Sequence, residues 1–219
     1  MIQSTFNHLL VLCCFVPIAT AESTPTDTAN KTQAIVDDFA SSEHPVRTAR
    51  RGEWLFENHE ATCVADLKLF KQFNNHGPIL TWPYRFSEGT VEMEIKPVDC
   101  QRVVFTLNGD GHVFRVTLAD ERDEAPAGKS RVPNRLITWA TKSSKQNKGD
   151  TIVPDGMPNL PAVNNQWVKL KLDVDGDIAK LRIGDFETEI KHPALAREKT
   201  NVTITFAFGK MSVRNVRIQ

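Results

Sequence analysis

Neither sign of charge is in surplus: 27 Lys and Arg stand against 27 Asp and Glu, and the sequence pI is near 7.0. Nucleic acid and anionic membrane surfaces both select an excess of Lys and Arg, so no nucleic-acid partner is expected. Long apolar runs are missing too. The run at residues 9–18 is shorter than the ~20 residues a spanning helix needs. No long segment repeats its apolar residues with a helical period, which argues against a bundle. No Gly-x-Ser-x-Gly elbow occurs, and the six histidines show no metal-ligand spacing, so no metal and no cofactor is expected. Ala127-Gly128-Lys129-Ser130 copies half a phosphate loop, but Asp123 stands where its first glycine belongs. Asp173-Val174-Asp175-Gly176-Asp177 copies the start of a calcium loop without its later Glu, and reads as a turn.

Cysteine is scarce. Of the four, Cys13 and Cys14 lie in the leading apolar run, which leaves Cys63 and Cys100. Residues 1–21 hold no Asp, Glu, Lys or Arg, and Ala19-Thr20-Ala21 supplies a small-residue cleavage site. These features predict a secretory signal peptide over 1–21, although no Lys or Arg marks its start. The mature protein is then exported, to the periplasm or beyond, with no membrane span. In an oxidising compartment one Cys63–Cys100 disulfide is the economical reading; two buried thiols on neighbouring strands is the other. Residues 22–33, ESTPTDTANKTQ, bury too little apolar surface to offset ordering entropy and read as a flexible leader. One domain is expected over 34–219.

What the chain does have is alternation. In residues 102–118, RVVFTLNGDGHVFRVTL, Val103, Phe105 and Leu107 alternate with Val104, Thr106 and Asn108, and Phe114, Val116 and Leu118 alternate with Arg115 and Thr117. Asn108-Gly109-Asp110-Gly111 between them marks a hairpin turn. Residues 89–96, GTVEMEIK, set Val91, Met93 and Ile95 against Glu92 and Glu94. Residues 168–174, 179–183, 202–206 and 211–218 repeat the pattern, and residues 66–75 fit a helical turn or packed loop. Ten to twelve short strands with turn signals between them predict an all-β, two-sheet antiparallel sandwich.

Several of these pieces also stand in a familiar order: Trp54 after Gly52, GTVEMEIK, NGDGHVFRV, QWVKLKLDVDGD and the closing KMSVRNVRIQ. From about residue 35 to the end the chain resembles the concanavalin A-like jelly-roll domain of exported bacterial proteins, the 3-keto-disaccharide hydrolase or glycoside-hydrolase-like family. The resemblance implies two curved sheets, with a concave face that holds sugars in related domains. Function carries over less well than fold.

Candidate chemistry falls into three groups. Glu92 and Glu94 share one face of a strand, near the carboxylate spacing of a glycosidase, or they form a solvated outer face. The laminarinase-type Glu-x-Asp-x-Glu pattern is incomplete here. Asn108, Asp110, His112 and Arg115 can bond sugar hydroxyls, with His112 as an acid or base, or they are residues a turn uses for itself. Trp82 and Trp139 are candidate stacking platforms, whereas Trp54 and Trp167 read as core, and Lys142 stands in a polar, breaker-rich loop over 142–165. The preferred function is an exported glycan-binding protein. Its alternatives are a glycosidase-like hydrolase, using Glu92 or Glu94 with His112, and a non-catalytic module that recognises another protein.

Overall fold

The computed structural model describes residues 33–119, 135–152 and 160–219. The expected signal peptide and nearly all of the leader lie outside the described residues, as do the phosphate-loop mimic and residues 153–159 of the polar loop. In chain order the strands are β1 (Ile35–Asp37), β2 (Thr48–Arg50), β3 (Trp54–Glu57) and β4 (Glu60–Val64), followed by helix α1 (Leu67–Gln72). Next come β5 (Ile79–Phe86), β6 (Gly89–Val98), β7 (Arg102–Gly109), β8 (Gly111–Ala119), β9 (Arg135–Thr138) and β10 (Asp150–Ile152). The chain closes with β11 (Val168–Asp175), β12 (Ile178–Ile183), β13 (Phe186–Lys191), β14 (Lys199–Ala207) and β15 (Lys210–Ile218).

These strands form two antiparallel sheets. The first has the order β13-β12-β11-β6-β15-β4-β3, and β1 continues the edge of β15 beyond β4. The second has the order β10-β9-β8-β7-β14-β5-β2. Period-two alternation is why they stack: Val91, Met93 and Ile95 of the first sheet share one core with Leu80, Phe105, Phe114 and Ile204 of the second. Local signals agree with the layers. Asn58 and His59 both take positive φ, the geometry a two-residue hairpin between β3 and β4 requires. The Asp66 carboxylate caps α1 by accepting from the Lys68 and Leu69 amides at 2.6 and 3.0 Å.

Two expectations are corrected here. Trp82 is no surface platform: it is 0% exposed, because β5 does not stop at Pro83 and its inward phase runs Leu80, Trp82, Tyr84, Phe86. Its indole donates to Asp37 Oδ2 at 2.8 Å, and the same carboxylate takes two bonds from Arg47 at 2.7 and 3.0 Å. Cys63 and Cys100 are both buried, unbridged thiols. Cys63 lies on β4, whereas Cys100 sits in the crossover after β6 with its Sγ 3.2 Å from the Lys210 carbonyl.

The passage from β6 to β7 matters most for the site. In the few residues between Val98 and Arg102 the chain leaves the first sheet for the second, with Asp99 at φ +54°. Consecutive strands that look alike in sequence therefore present their polar residues on opposite sides of the molecule.

Candidate functional site

The end of the β7–β8 hairpin carries a chain of polar side chains. Strict alternation would put His112 on the core side with Phe114 and Val116. A β-bulge prevents that: Leu107 pairs with Phe114 but Asn108 pairs with His112, leaving Val113 as the extra residue. The bulge turns His112 to the outer face, beside Arg115. There His112 Nδ1 is 2.7 Å from Asn108 Oδ1, and Arg115 Nη2 is 2.8 Å from His112 Nε2. A guanidinium can only donate, so Nε2 accepts and the proton sits on Nδ1. Asn108 Nδ2 in turn donates to Asn201 Oδ1 on β14 at 2.8 Å. Burial, then the adjacent Arg115 charge, pushes the His112 pKa down to about 4, so the ring is neutral at neutral pH.

Trp139 stands just past β9 and completes this wall. Its ring lies 5.3 Å from the His112 ring and 5.2 Å from the Arg115 guanidinium. At 7% exposed it presents an edge rather than an open platform. A cleft of about 550 Å³ opens here, lined among others by His112, Arg115, Arg135, Trp139, Asn147 and Lys148. Gly149 keeps it open from below, because a Cβ there would meet Trp139 Cε2 at 2.5 Å and Ile137 Cγ2 at 2.4 Å.

Arg197 holds the rim. Its guanidinium donates to the carbonyls of Asp110, His112, Trp139 and Thr141, tying the hairpin end to the segment after β9. Ser143 Oγ accepts from the His112 amide at 3.2 Å. Asp110 and Lys142 pair with each other at 3.1 Å, but both are largely exposed, and such pairs contribute little.

The carboxylates are elsewhere. Glu92 and Glu94 lie on β6 in the first sheet, on the face turned away from the core, whereas His112 and Arg115 lie on the outer face of the second. The whole sandwich separates them, so no reacting atom can touch both groups. Lys169 and Lys171 bind Glu92 at 3.1 and 3.2 Å. Partial burial alone would raise the Glu92 pKa, but these bonds outweigh it and hold the carboxyl below its ordinary value. Glu94 accepts from Asn215 at 2.9 Å and Arg214 at 2.7 Å, and is likewise held down. A glycosidase general acid needs the opposite shift.

Arg102, Arg135, Arg197 and Asn201 were not singled out from sequence. Arg102 and Arg135 each open a strand, and only the lateral order β7-β8-β9 brings them to Arg115. Among the described residues no group of three or more His, Cys, Asp or Glu side chains could hold a metal ion.

No family model and no curated protein matches the chain. Solved structures do. LamA from Z. galactanivorans in complex with laminaritriose and laminaritetraose gives a TM-score of 0.56 at 11% identity, covering 86% of this chain and 98% of its own. The carbohydrate binding module CBM66 from Bacillus subtilis gives 0.51 at 13%, covering 78% and 92%. The CBM2 module of an evolved Dit of Lactobacillus casei BL23 phage J-1 gives 0.51 at 10%, covering 86% and 96%. The chain therefore has the concanavalin A-like jelly-roll fold.

Proposed function

We propose that the protein binds a carbohydrate in the cleft beside His112, Arg115 and Trp139, and does so outside the cytoplasm after losing residues 1–21. The observation that carries this reading is the fixed series Asn201–Asn108–His112–Arg115 next to an aromatic edge. It holds amide, imidazole and guanidinium groups in one geometry before any ligand arrives, which lowers the ordering cost of binding. The fold supports it, since one neighbour is a carbohydrate binding module and another is complexed with laminari-oligosaccharides. Hydrolysis is the weaker reading, because Glu92 and Glu94 are ion-paired on the other sheet.

A glycan array followed by calorimetry on the retained sugars tests it. Binding should survive Glu94→Gln and fall at least ~10-fold with Arg115→Ala, the loss of a charge-assisted bond pair. An array with no retained glycan would remove the reading. Product release from an oligosaccharide, abolished by Glu94→Gln, would restore the hydrolase.

A further inference from the structure

Resting on that reading, the charge of the cleft says what kind of carbohydrate it takes. Arg102 on β7, Arg115 on β8 and Arg135 on β9 share the outer face of three adjacent strands. Their registers place them around one residue: Thr117 pairs with Arg135 on one side and with Val104 on the other, two residues along from Arg102, while Arg115 is two residues along β8. Thr117 and Thr106 between them are only 1% and 3% exposed, so water hardly reaches this patch of the sheet.

Such a cluster is costly unless something negative answers it. Arg115 and Arg102 are each disfavoured first by burial and then by Arg135, with Arg102 adding to the repulsion at Arg115. Among the described residues no carboxylate pairs with any of the three. Arg115 Nε is buried and has no hydrogen-bond partner, although one of its terminal nitrogens is committed to His112. A buried, unsatisfied N–H on a charged group is expensive, and native structures leave one only for a reason. The carboxylate-rich outer face of the first sheet shows that this fold readily supplies counter-charges when none is needed from outside.

We propose that the cleft takes an acidic glycan, with a carboxylate or sulfate oxyanion of the sugar seated among Arg102, Arg115 and Arg135 and the sugar ring lying toward Trp139, Asn147 and Lys148. The planar fork of arginine matches either oxyanion with two parallel bonds, and lysine would not. The neutral His112 fits the same assignment: it accepts from Arg115 and so aims the guanidinium without adding a carboxylate that would repel the ligand.

The test titrates the full-length protein with trigalacturonate, with its methyl ester, and with a sulfated disaccharide, at two salt concentrations. Trigalacturonate or the sulfated sugar should bind ~10-fold or more tighter than the ester, the scale of one charge-assisted bond pair, and which one binds distinguishes carboxylate from sulfate. Arg135→Gln, an exposed side chain whose loss leaves the fold intact, should abolish that preference. Equal binding of ester and acid would overturn the acidic-glycan assignment while leaving carbohydrate binding in place. Protection of the fold by inorganic sulfate, lost in Arg135→Gln, with no sugar bound, would keep the anion site and end the carbohydrate reading. Binding of none of these probes would end the acidic-glycan assignment and leave carbohydrate binding to the glycan array.

Discussion

His112 offers the sharpest internal check, because its protonation is tied to a single bond. Arg115 donates to Nε2, so a proton on that nitrogen must break the bond and place two positive groups side by side. Burial first, and then this Arg115 charge, bring the folded pKa to about 4, against 6.5 for a free imidazole. A folded pKa depressed below the unfolded one contributes stability that is present above the unfolded value and lost as pH falls toward the folded one. The loss should therefore run from about pH 6.5 down to about pH 4. The full difference corresponds to ~3 kcal/mol, and partial solvent access at the ring reduces it to ~1–2 kcal/mol. Urea denaturation at pH 7 and pH 4.5 should show that loss in the native protein and a smaller one in His112→Gln, whose amide can keep both bonds. A proton NMR titration of the His112 ring gives the same answer directly. Titration near 6.5 in the folded protein would show that the Arg115 bond is absent, and the fixed series Asn201–Asn108–His112–Arg115 would go with it.

Other outcomes follow from single contacts. Asp37→Ala strands the Arg47 guanidinium, whose side chain is 1% exposed, and should cost ~3–5 kcal/mol in urea denaturation without changing glycan affinity. A loss below ~1 kcal/mol would mean that the Asp37–Arg47–Trp82 cluster is not formed. Gly149→Ala should push Trp139 and Ile137 aside and weaken ligand binding several-fold, with a smaller effect on melting; unchanged binding would show that these groups are not the cleft wall. In the native protein Cys63, pushed up to about 12 by burial and then by Glu53, should resist thiol reagents, and a reductant should leave the melting temperature unchanged. A drop in melting temperature on reduction would reinstate the disulfide.

Much of the sandwich was legible because alternation states which residues share a core. Val91, Met93 and Ile95 declared their phase, and so did Leu170, Leu172 and Val174. Phase does not say which sheet a strand joins, however. Glu92, Glu94 and His112 stand close in sequence and were joined as one candidate site, whereas the crossover at Asp99 sends them to opposite faces. The bulge at Val113 was hidden for a related reason: an apolar residue between His112 and Phe114 fits either phase, and only the pairing with Asn108 and Leu107 reveals the extra residue. Trp82 is carried inward because β5 runs on through Pro83 instead of ending there. A proline is tolerated there because β2 reaches only from Ile79 to Thr81, and at Pro83 the remaining partner β14 slips register. The arginine cluster was least legible, since its members are spread over three strands and no local pattern links them.

The two outer faces differ in a way that stability can expose. On the first sheet the acids of the two central strands have bases beside them: Glu92 with Lys169 and Lys171, Glu94 with Arg214, Asp173 with Lys171 and Arg182. On the second, Arg102, Arg115 and Arg135 repel one another, and among the described residues no carboxylate answers them. If they are kept for a ligand, the unliganded protein is strained by them, and relieving one should stabilise it. Arg102→Gln removes one repulsion and one partly desolvated charge while keeping most of the side-chain packing. It should raise the unfolding free energy by ~0.5–1 kcal/mol at low salt, with the gain fading as salt screens the pair. The same change should cost affinity for the acidic ligand, so stability and binding move in opposite directions. A structural arginine behaves otherwise: its loss lowers stability and leaves any binding alone. Destabilisation of more than ~1 kcal/mol by Arg102→Gln would therefore assign Arg102 to the fold and take it out of the site.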